Sequence, residues 1–321
     1  MLGRDCRFLK PSALGLFVVS LASCLKADDM NIDAVKYKTN VIEIANTGDN
    51  ITNAGIPGFY SDLGVVAAGA SKTFNINIHY TGPGTAPEDI TVTLSSDAAT
   101  LAKYNTENGV TKVVPPSTVV TFPTSVVIKK GTSLTTVEAK ITVTAEFNFN
   151  AAYAVPVKIT QVSNGIISGN YGNAVYSFGV RNSYDGAYTV TGTMVDAANS
   201  GITGRYPMSV GLVTSGANTV RLYDNAIGGV YHSILSGTST SYYGAFGVEF
   251  TIDASNKVTS VINVYGQPAG NGRSAEIDPS GANSWDPATK TLKVKYWMNQ
   301  PSVIAGHRCS FDETIVYTGV R

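Results

Sequence analysis

Aromatic side chains in the second half of the chain are the residues best suited to chemistry, namely the non-covalent binding of sugars. Trp285, Trp297, Tyr242 and Tyr243 are candidates for ring stacking, and Arg273 is a candidate for a bidentate hydrogen-bond donor. Apolar C–H faces of sugar rings stack on exposed aromatic rings, and sugar hydroxyl groups pair with polar side chains. Exposed rings and a charged residue in a glycine-rich turn are also ordinary features of extracellular β proteins. These five residues are therefore candidate ligand-binding residues with a structural alternative.

The two tryptophans differ in their sequence surroundings. In the run Leu292–Met298 every second residue is apolar, and Trp297 shares the other face with Lys293 and Lys295. Side chains alternate between the two faces of a strand, so this indole is expected to face solvent and to need a partner. That partner is a sugar, the other domain or a covering loop. Trp285 lies in a polar loop, where it either contacts a sugar or closes the end of a barrel as a plug.

The sequence offers no familiar catalytic or metal-binding motif. It lacks a nucleophile elbow, an H-E-x-x-H sequence, a Walker loop and a dinucleotide glycine pattern. The histidines His79, His232 and His307 lie far apart, so we expect no metal and no other cofactor. The sequence therefore predicts no catalytic residues and a protein that is not an enzyme.

A glycosidase would need two carboxyl groups facing one substrate, one of them kept protonated by its surroundings. The sequence alone brings no such pair together. The acidic residues considered for this role are Glu249, Glu276, Asp278, Asp286, Asp312 and Glu313.

Cys24 is the residue best suited to covalent modification. It ends the sequence Leu-Ala-Ser-Cys, after a basic start and the apolar run 13–22. This arrangement resembles the bacterial lipobox, in which the thiol receives a diacylglyceryl group before cleavage, although an ordinary signal peptide is the alternative. The apolar run is far shorter than the ~20 residues of a membrane span. We predict a signal peptide at 1–23 and a lipidated tether at 24–34.

Composition excludes several partners. The chain has 23 basic and 23 acidic residues, and only 14% of its residues are charged. Nucleic-acid binding requires a basic face, so we expect no nucleic-acid partner. Beyond Cys24, the predicted mature chain contains only Cys309, which excludes an intramolecular disulfide. Cys309 alternates with polar neighbours and is predicted to face a core.

Short runs of alternating β-forming residues, separated by Gly, Pro and Asn, fill the chain. In one of them Phe74, Ile76 and Ile78 share a face. The spacing predicts an all-β protein with a β-sandwich over 35–181. A second antiparallel β domain follows over 182–321, either a barrel or a sandwich. One short helix is predicted at 96–105, with Leu101 and Tyr104 on one face.

Several small motifs in the first half follow one another in a recognisable order. They are Leu101-x-x-Tyr104-Asn105, Pro115, Val126-x-Ile128-x-x-Gly131 and Tyr153-Ala154-Val155-Pro156-Val157-x-Ile159. Their order and spacing over about 35–180 resemble the N-terminal module of a Bacteroidota lipoprotein family, domain of unknown function 1735. The chain departs from this pattern at Ala154-Val155 and at Pro115-Pro116. The resemblance implies an immunoglobulin-like sandwich in a surface glycan-acquisition lipoprotein similar to the SusE class.

These observations lead to one functional expectation and one alternative. We expect a non-catalytic glycan-binding lipoprotein of the outer membrane, exposed at the cell surface and held there only by its lipid. Asp28 and Asp29, just after Cys24, resemble the export signal of Bacteroidota surface lipoproteins. The family resemblance implies work beside a TonB-dependent importer in polysaccharide capture and uptake. The alternative is a surface adhesin or structural lipoprotein that binds a protein. The sequence leaves open the glycan, the membrane face and the oligomeric state.

Overall fold

Two five-stranded sheets face each other in the first half of the chain, as the alternation of the sequence predicts. The computed structural model describes residues 39–45, 51 and 55–321. The predicted signal peptide at 1–23, the lipidation site Cys24 and the tether at 24–34 lie outside the described residues. Residues Thr39–Arg321 belong to one compact unit. The domain boundary near residue 181 therefore stays a prediction.

Ten strands and one helix make up the described part of the first half. They are β1 (Val41–Ala45), β2 (Gly58–Val65), β3 (Ser71–Thr81), β4 (Ile90–Ser96), α1 (Ala98–Asn108), β5 (Val120–Thr121), β6 (Ser125–Ile128), β7 (Leu134–Thr142), β8 (Ala154–Val162), β9 (Ile166–Ile167) and β10 (Asn173–Arg181). One sheet has the order β5-β7-β3-β1-β9 and the other β2-β10-β8-β4-β6. Two stacked sheets of this kind form a β-sandwich.

The sandwich core consists of the alternate residues that each sheet turns inward. In β3, Phe74, Ile76 and Ile78 are buried, while Asn75 is exposed and Asn77 is half-buried, which confirms the predicted faces. Rings from the two sheets meet across the core. Phe74 stacks on Tyr176 of the opposite sheet with ring centroids 5.5 Å apart. Apolar burial on this inner surface is what holds the sheets together.

The predicted short helix is present as α1. It begins after Asp97, whose carboxylate accepts a hydrogen bond from the Thr100 hydroxyl at 2.7 Å. It ends at Gly109, which has the left-handed backbone that favours glycine at a helix C-terminus. Leu101 and Tyr104 are buried, as predicted. No helix of the described part of the chain is long and apolar enough to cross a membrane.

Twelve strands make up the second half. They are β11 (Gly186–Asp196), β12 (Ile202–Gly204), β13 (Met208–Thr214), β14 (Thr219–Asp224), β15 (Ser233–Ser236), β16 (Ser239–Tyr242), β17 (Val248–Ile252), β18 (Val258–Asn263), β19 (Ser274–Ile277), β20 (Ser284–Asp286), β21 (Thr291–Asn299) and β22 (His307–Gly319). All of them belong to a single antiparallel sheet. The all-β prediction is confirmed.

This second sheet, called the curled sheet below, bends around one core. Its main path runs from β18 through β17, β14, β13 and β11 to β22, β21 and β20. The two ends meet where the Trp285 amide donates to the Asn256 carbonyl at 2.8 Å and the Val258 amide donates to the Asn283 carbonyl at 2.9 Å. The sheet therefore closes on itself in the manner of a barrel. Strands β12, β15 and β16 extend from one end of β11.

The core of the curled sheet contains a buried carboxylate, that of Glu313. Its Oε1 lies 2.6 Å from His232 Nε2 and accepts a hydrogen bond from the Tyr206 hydroxyl at 2.6 Å. Its Oε2 accepts a hydrogen bond from the Tyr296 hydroxyl at 3.1 Å. The side chains of Glu313 and His232 are both fully buried. Burial, followed by the charge of Glu313, raises the pKa of both Tyr206 and Tyr296, so the two phenols remain donors.

Removing this carboxylate should destabilise the curled sheet strongly. We expect Glu313→Ala to lower the free energy of unfolding by about 3–5 kcal/mol, because His232 and two phenols lose their common buried partner. Denaturant unfolding followed by tryptophan fluorescence measures the change in this part of the chain, since both tryptophans lie in it.

Asp312 supplies the matched control for this measurement. It is exposed and lies on the opposite face of the same strand. Asp312→Ala should change the free energy of unfolding by no more than about 0.5 kcal/mol. Equal effects of the two substitutions would contradict a structural role for the buried cluster.

Candidate functional site

Three tyrosine rings lie together on the surface of the curled sheet. Tyr231 stands between the other two, with its ring centroid 4.6 Å from that of Tyr242 and 5.3 Å from that of Tyr265. Tyr231 and Tyr265 are nearly parallel, 12° apart, and Tyr242 is tilted by 42°. Tyr242 is 44% exposed and Tyr265 is 41% exposed. We call Tyr231, Tyr242 and Tyr265 the tyrosine patch.

Strand pairing brings the first two rings of the patch together. Ser233 of β15 pairs with Tyr242 of β16. Tyr231 lies two residues before Ser233, and its ring contacts that of Tyr242 with the centroids 4.6 Å apart. The next residue, His232, points inward to Glu313. The buried cluster therefore fixes the backbone beside Tyr231.

Tyr265 follows β18 and is held by a buried asparagine. Asn263 Nδ2 donates to the carbonyl oxygens of Ala245 and Arg273 at 3.0 and 2.9 Å. Its Oδ1 accepts from the amides of Gly247 and Tyr265 at 3.2 and 3.3 Å. Asn263 thus ties together the two loops that flank the patch. Burial, together with the Tyr231 hydroxyl, raises the pKa of Tyr265, so this phenol stays neutral around pH 7.

Tyr243 is buried beneath the patch and holds Tyr242 in place. Its ring lies 5.0 Å from the guanidinium of Arg273 and 5.0 Å from that of Arg308. Its hydroxyl donates a short hydrogen bond to Asp196, which Arg308 also contacts at 3.0 Å. Burial opposes ionisation of Asp196, but these partners outweigh it and lower the pKa of the carboxyl. Adjacent side chains of a strand point to opposite faces, so a buried Tyr243 presents Tyr242 to solvent.

Cys309 lies in the same layer and confirms the prediction that it faces a core. It is 1% exposed, and its Sγ lies 3.5 Å from the Tyr243 hydroxyl. Burial raises the pKa of this thiol to about 12. A thiol in this state is a weak nucleophile and metal ligand at neutral pH.

Arg273 lies beside the patch with only neutral hydrogen-bond acceptors. Its Nε donates to Gln300 Oε1 at 3.1 Å, and its Nη1 makes a short hydrogen bond to the carbonyl of Gly244. Gly244 follows Tyr243 directly, so the carbonyl that the guanidinium binds belongs to the second residue after Tyr242. The structure thus brings Arg273, Tyr242 and Tyr243 together, as parts of one surface and its support.

Trp285 occupies the position of the plug rather than that of an exposed platform. It is 5% exposed and packs edge-on against Tyr184, with ring centroids 5.2 Å apart. The ring centroids of Tyr188 and Trp285 are 6.4 Å apart. Its strand β20 is the one that closes the curled sheet. The indole faces are therefore occupied by the protein's own rings.

Trp297 lies on the solvent face of β21, as predicted, and has a covering partner. The ring of His307 stacks on it with centroids 3.8 Å apart and planes 9° apart. His307 Nδ1 lies 2.8 Å from Asn299 Oδ1, which fixes the imidazole over the indole. Asn299 also donates to Glu276 at 3.0 Å. One face of this indole is thus covered by a neighbouring strand residue.

All of the acidic residues considered for catalysis except Asp312 serve as structural acceptors. Glu249 pairs with Arg221 at 2.8 Å, and Asp278 pairs with Lys295 at 3.4 Å. Hydrogen bonds from Thr289 and the Ala288 amide lower the pKa of Asp286. The pKa of Asp278 is also lowered, because hydrogen bonds from Ser280 and Lys295 outweigh its burial. A glycosidase general acid needs the opposite shift.

Tyr231 and Tyr265 are the patch residues that sequence reasoning missed. Both follow glycine-rich or strand-ending segments, and neither is distinguished from the other 15 tyrosines by its neighbours. The sequence offers only a weak signal for them. Tyr231 follows Gly228-Gly229-Val230, and Tyr265 lies two residues after Asn263, the end of β18. Their proximity to Tyr242 depends on the pairing of β15 with β16 and on the loop after β18.

Comparisons with known proteins give the fold a context. A family model described as a "-like, N-terminal domain" matches residues 51–166, less than half of the chain. No curated protein matches the sequence. A Bacteroides ovatus protein of unknown function has the same fold, with a TM-score of 0.53 and 12% identity over 88% of this chain and 96% of that chain.

Two further structures from Bacteroides ovatus are more distant. A multidomain protein that includes domain of unknown function 1735 gives a TM-score of 0.45 at 10% identity, covering 86% of this chain and 92% of that chain. A proposed carbohydrate-binding protein gives 0.35 at 10% identity, covering 64% and 66%.

The two tryptophans should differ sharply in their contribution to stability. We expect Trp285→Ala to lower the free energy of unfolding by about 3–5 kcal/mol, because a large buried ring is lost. Trp297→Ala should cost about 1 kcal/mol or less, because this side chain is only half-buried. Urea unfolding followed by circular dichroism compares them without relying on tryptophan fluorescence.

Trp285→Phe is the matched control, since it keeps an aromatic ring in the same place. It should recover more than half of the stability lost in Trp285→Ala. A small effect of Trp285→Ala would mean that the indole is not the plug of the curled sheet.

Proposed function

We propose that the protein is a non-catalytic, glycan-binding lipoprotein that assists the capture and uptake of a polysaccharide, and that the tyrosine patch is its binding surface. The observation that carries this proposal is the cluster of three rings, two of them exposed, on a rigid part of the curled sheet. Affinity at such a surface is modest for each site and grows when several sites act on one polymer.

The chemistry of the patch suits a sugar. Ring faces of Tyr242 and Tyr265 offer apolar surfaces for the C–H groups of a pyranose, and the phenol hydroxyls pair with its hydroxyl groups. Tyrosine has few rotatable bonds, so an exposed ring loses little entropy when a ligand binds. The anchors at His232, Tyr243 and Asn263 reduce that loss further by fixing the backbone beneath each ring.

A binding role without catalysis is supported by the state of the carboxyl groups. Glu313 is fully buried and already bonded to His232, Tyr206 and Tyr296. The lowered pKa of Asp278 and Asp286 keeps both ionised, whereas a sugar-cleaving site needs one protonated acid near neutral pH. These residues act as structural acceptors in this proposal.

Membrane attachment in this proposal rests on Cys24 and its preceding residues. A diacylglyceryl group on the thiol would hold the chain at the outer membrane, with the sandwich as a spacer between lipid and patch. Cell-surface exposure and a TonB-dependent importer as partner follow from the family resemblance. Metabolic labelling with a radioactive fatty acid tests the anchor: label in the native chain and none in Cys24→Ala is the expected result.

The second candidate function is protein binding, as an adhesin. Clustered exposed tyrosines are enriched where proteins meet other proteins, so the same patch supports it. The class of ligand that the patch binds, a glycan or a protein, distinguishes the two functions.

A glycan array probed with the purified full chain tests the proposed function. We expect binding to a restricted class of sugars. The double substitution Tyr242→Ala and Tyr265→Ala should weaken that binding at least about tenfold, because two stacking surfaces are lost. Titration calorimetry with the best array ligand gives the affinities of the native and substituted chains.

Tyr223→Ala is the matched control, since Tyr223 is an exposed tyrosine of the same sheet, 36% exposed, outside the patch. Its affinity should equal that of the native chain. Glycan binding that survives the double substitution would remove the patch from the proposal. An absence of glycan binding across the array would favour the adhesin.

A further inference from the structure

Two arginines and one carboxylate meet beneath Tyr242, which leaves an excess of positive charge. Arg308 contacts Asp196 through Nε at 3.3 Å and Nη2 at 3.0 Å. The Asp196 side chain is fully buried and the Arg308 side chain is 11% exposed. This pair is neutral, so the second arginine, Arg273, supplies the excess charge.

Arg273 has no acidic partner among residues 39–45, 51 and 55–321, since none of the ion pairs within 4.0 Å in that part of the chain includes it. Its acceptors are the amide oxygen of Gln300 and the carbonyl of Gly244. Arg308 donates to the same Gln300 oxygen. Two cations thus share one neutral acceptor. Burial, and then the charge of Arg308, lower the pKa of Arg273.

The guanidinium of Arg273 lies at the surface beside open backbone. Its hydrogen bond to Gly244 is solvent-exposed. A side chain added at Gly244 or at Gly270 would meet no atom within 4 Å, so space lies open above both residues. Asn271 Nδ2 also donates to the Gly244 carbonyl at 2.7 Å, which ties the two glycine-containing loops together. Glycines at such positions let a ligand approach the backbone closely.

A short segment of chain, Tyr242 to Gly244, joins the tyrosine patch to the open surface. Consecutive Cα atoms are 3.8 Å apart, so the Cα atoms of Tyr242 and Gly244 are separated by about 7.6 Å at most. The carbonyl that Arg273 binds therefore belongs to the second residue after Tyr242, so the guanidinium and the backbone of Tyr242 belong to one short segment of the surface. Guanidinium groups bind carboxylates with two parallel hydrogen bonds.

We propose that the glycan bound at the tyrosine patch is acidic, and that Arg273 binds a carboxylate of one of its uronic acid units. This inference rests on the proposed function and adds the substrate class. Arg273 retains Nη2, for which the structure gives no internal acceptor among the described residues, as a donor toward the ligand. Arg308 contributes positive charge from below while it stays bonded to Asp196. An anion at this position neutralises the excess charge of the arginine pair.

Paired oligosaccharides test this inference on the purified full chain. Suitable probes are size-defined oligomers of galacturonate, of mannuronate and of glucuronate-substituted xylose, each beside its carboxyl-reduced neutral form. We expect at least one acidic oligomer to bind, and its reduced form to bind at least about tenfold more weakly, which corresponds to about 1.4 kcal/mol. Affinity for the acidic form should fall between about 0.05 M and 0.5 M salt, because salt screens exposed charges.

Substitution at Arg273 assigns the effect to this residue. Arg273→Gln should bring the acidic oligomer to the affinity of its reduced form, because the guanidinium that binds the carboxylate is lost. Arg273→Lys, which keeps the charge and loses the planar fork, should retain part of the preference. Arg221→Gln is the control, because it removes the same charge from an arginine that pairs with Glu249.

The outcomes separate this inference from the proposed function. Equal or better binding of the reduced oligomers, or of neutral glycans only, would overturn the acidic ligand and leave glycan binding intact. An absence of binding to all acidic and neutral sugars would overturn both. The comparison of acidic and reduced forms needs only the native chain, so it decides the matter even where an Arg273 variant folds poorly.

Discussion

The contact on which the candidate site depends is the hydrogen bond from the Tyr243 hydroxyl to the buried carboxylate of Asp196. Asp196 ends β11, Tyr243 follows β16, and Arg308 near the start of β22 binds the same carboxylate. One carboxylate thus joins three separate strands at one end of the curled sheet. A buried charge is stable only when it is paired and hydrogen-bonded, so the three strand ends are held in one arrangement. The exposed Tyr242, which precedes Tyr243, is positioned by these contacts of Asp196.

The same construction recurs beneath each ring of the tyrosine patch. His232 next to Tyr231 is bonded to Glu313, Tyr243 next to Tyr242 is bonded to Asp196, and Asn263 near Tyr265 bonds two loops. Each ring of the patch therefore lies one or two residues from a buried, hydrogen-bonded polar group. Such networks contribute little net stability compared with an apolar core, but they allow few alternative arrangements. In the curled sheet, these buried polar networks lie at the end that carries the tyrosine patch.

Local patterns predicted much of the fold, because period-two alternation is a property of each strand alone. It placed Phe74, Ile76 and Ile78 in a core, Trp297 on the solvent side and Cys309 in the interior. The strand Ser239–Tyr242 was not predicted, because this short polar run lacks the apolar residues that signal a strand.

The candidate site was harder to predict because it is made of long-range contacts. Tyr231 and Tyr265 are 34 positions apart, and their stacking depends on strands and loops that no local pattern specifies. The neutral surroundings of Arg273 are equally invisible in sequence, since Gly270-Asn271-Gly272-Arg273 says nothing about Arg308. Trp285 illustrates the reverse case. Its polar neighbours left a sugar contact and a barrel plug both open, and its burial is decided by its position where the curled sheet closes.

A rigid surface has consequences for how a ligand is chosen. Where rings and cation are already in place, binding loses little free energy to ordering, so modest contacts suffice for measurable affinity. The same rigidity excludes ligands whose apolar and charged groups are spaced differently, because Tyr242 and Arg273 are both tied to the Tyr243–Gly244 segment. Selectivity at such a site comes from the geometry of this segment more than from the number of contacts. A change that loosens Tyr243 should therefore broaden the range of ligands before it abolishes binding.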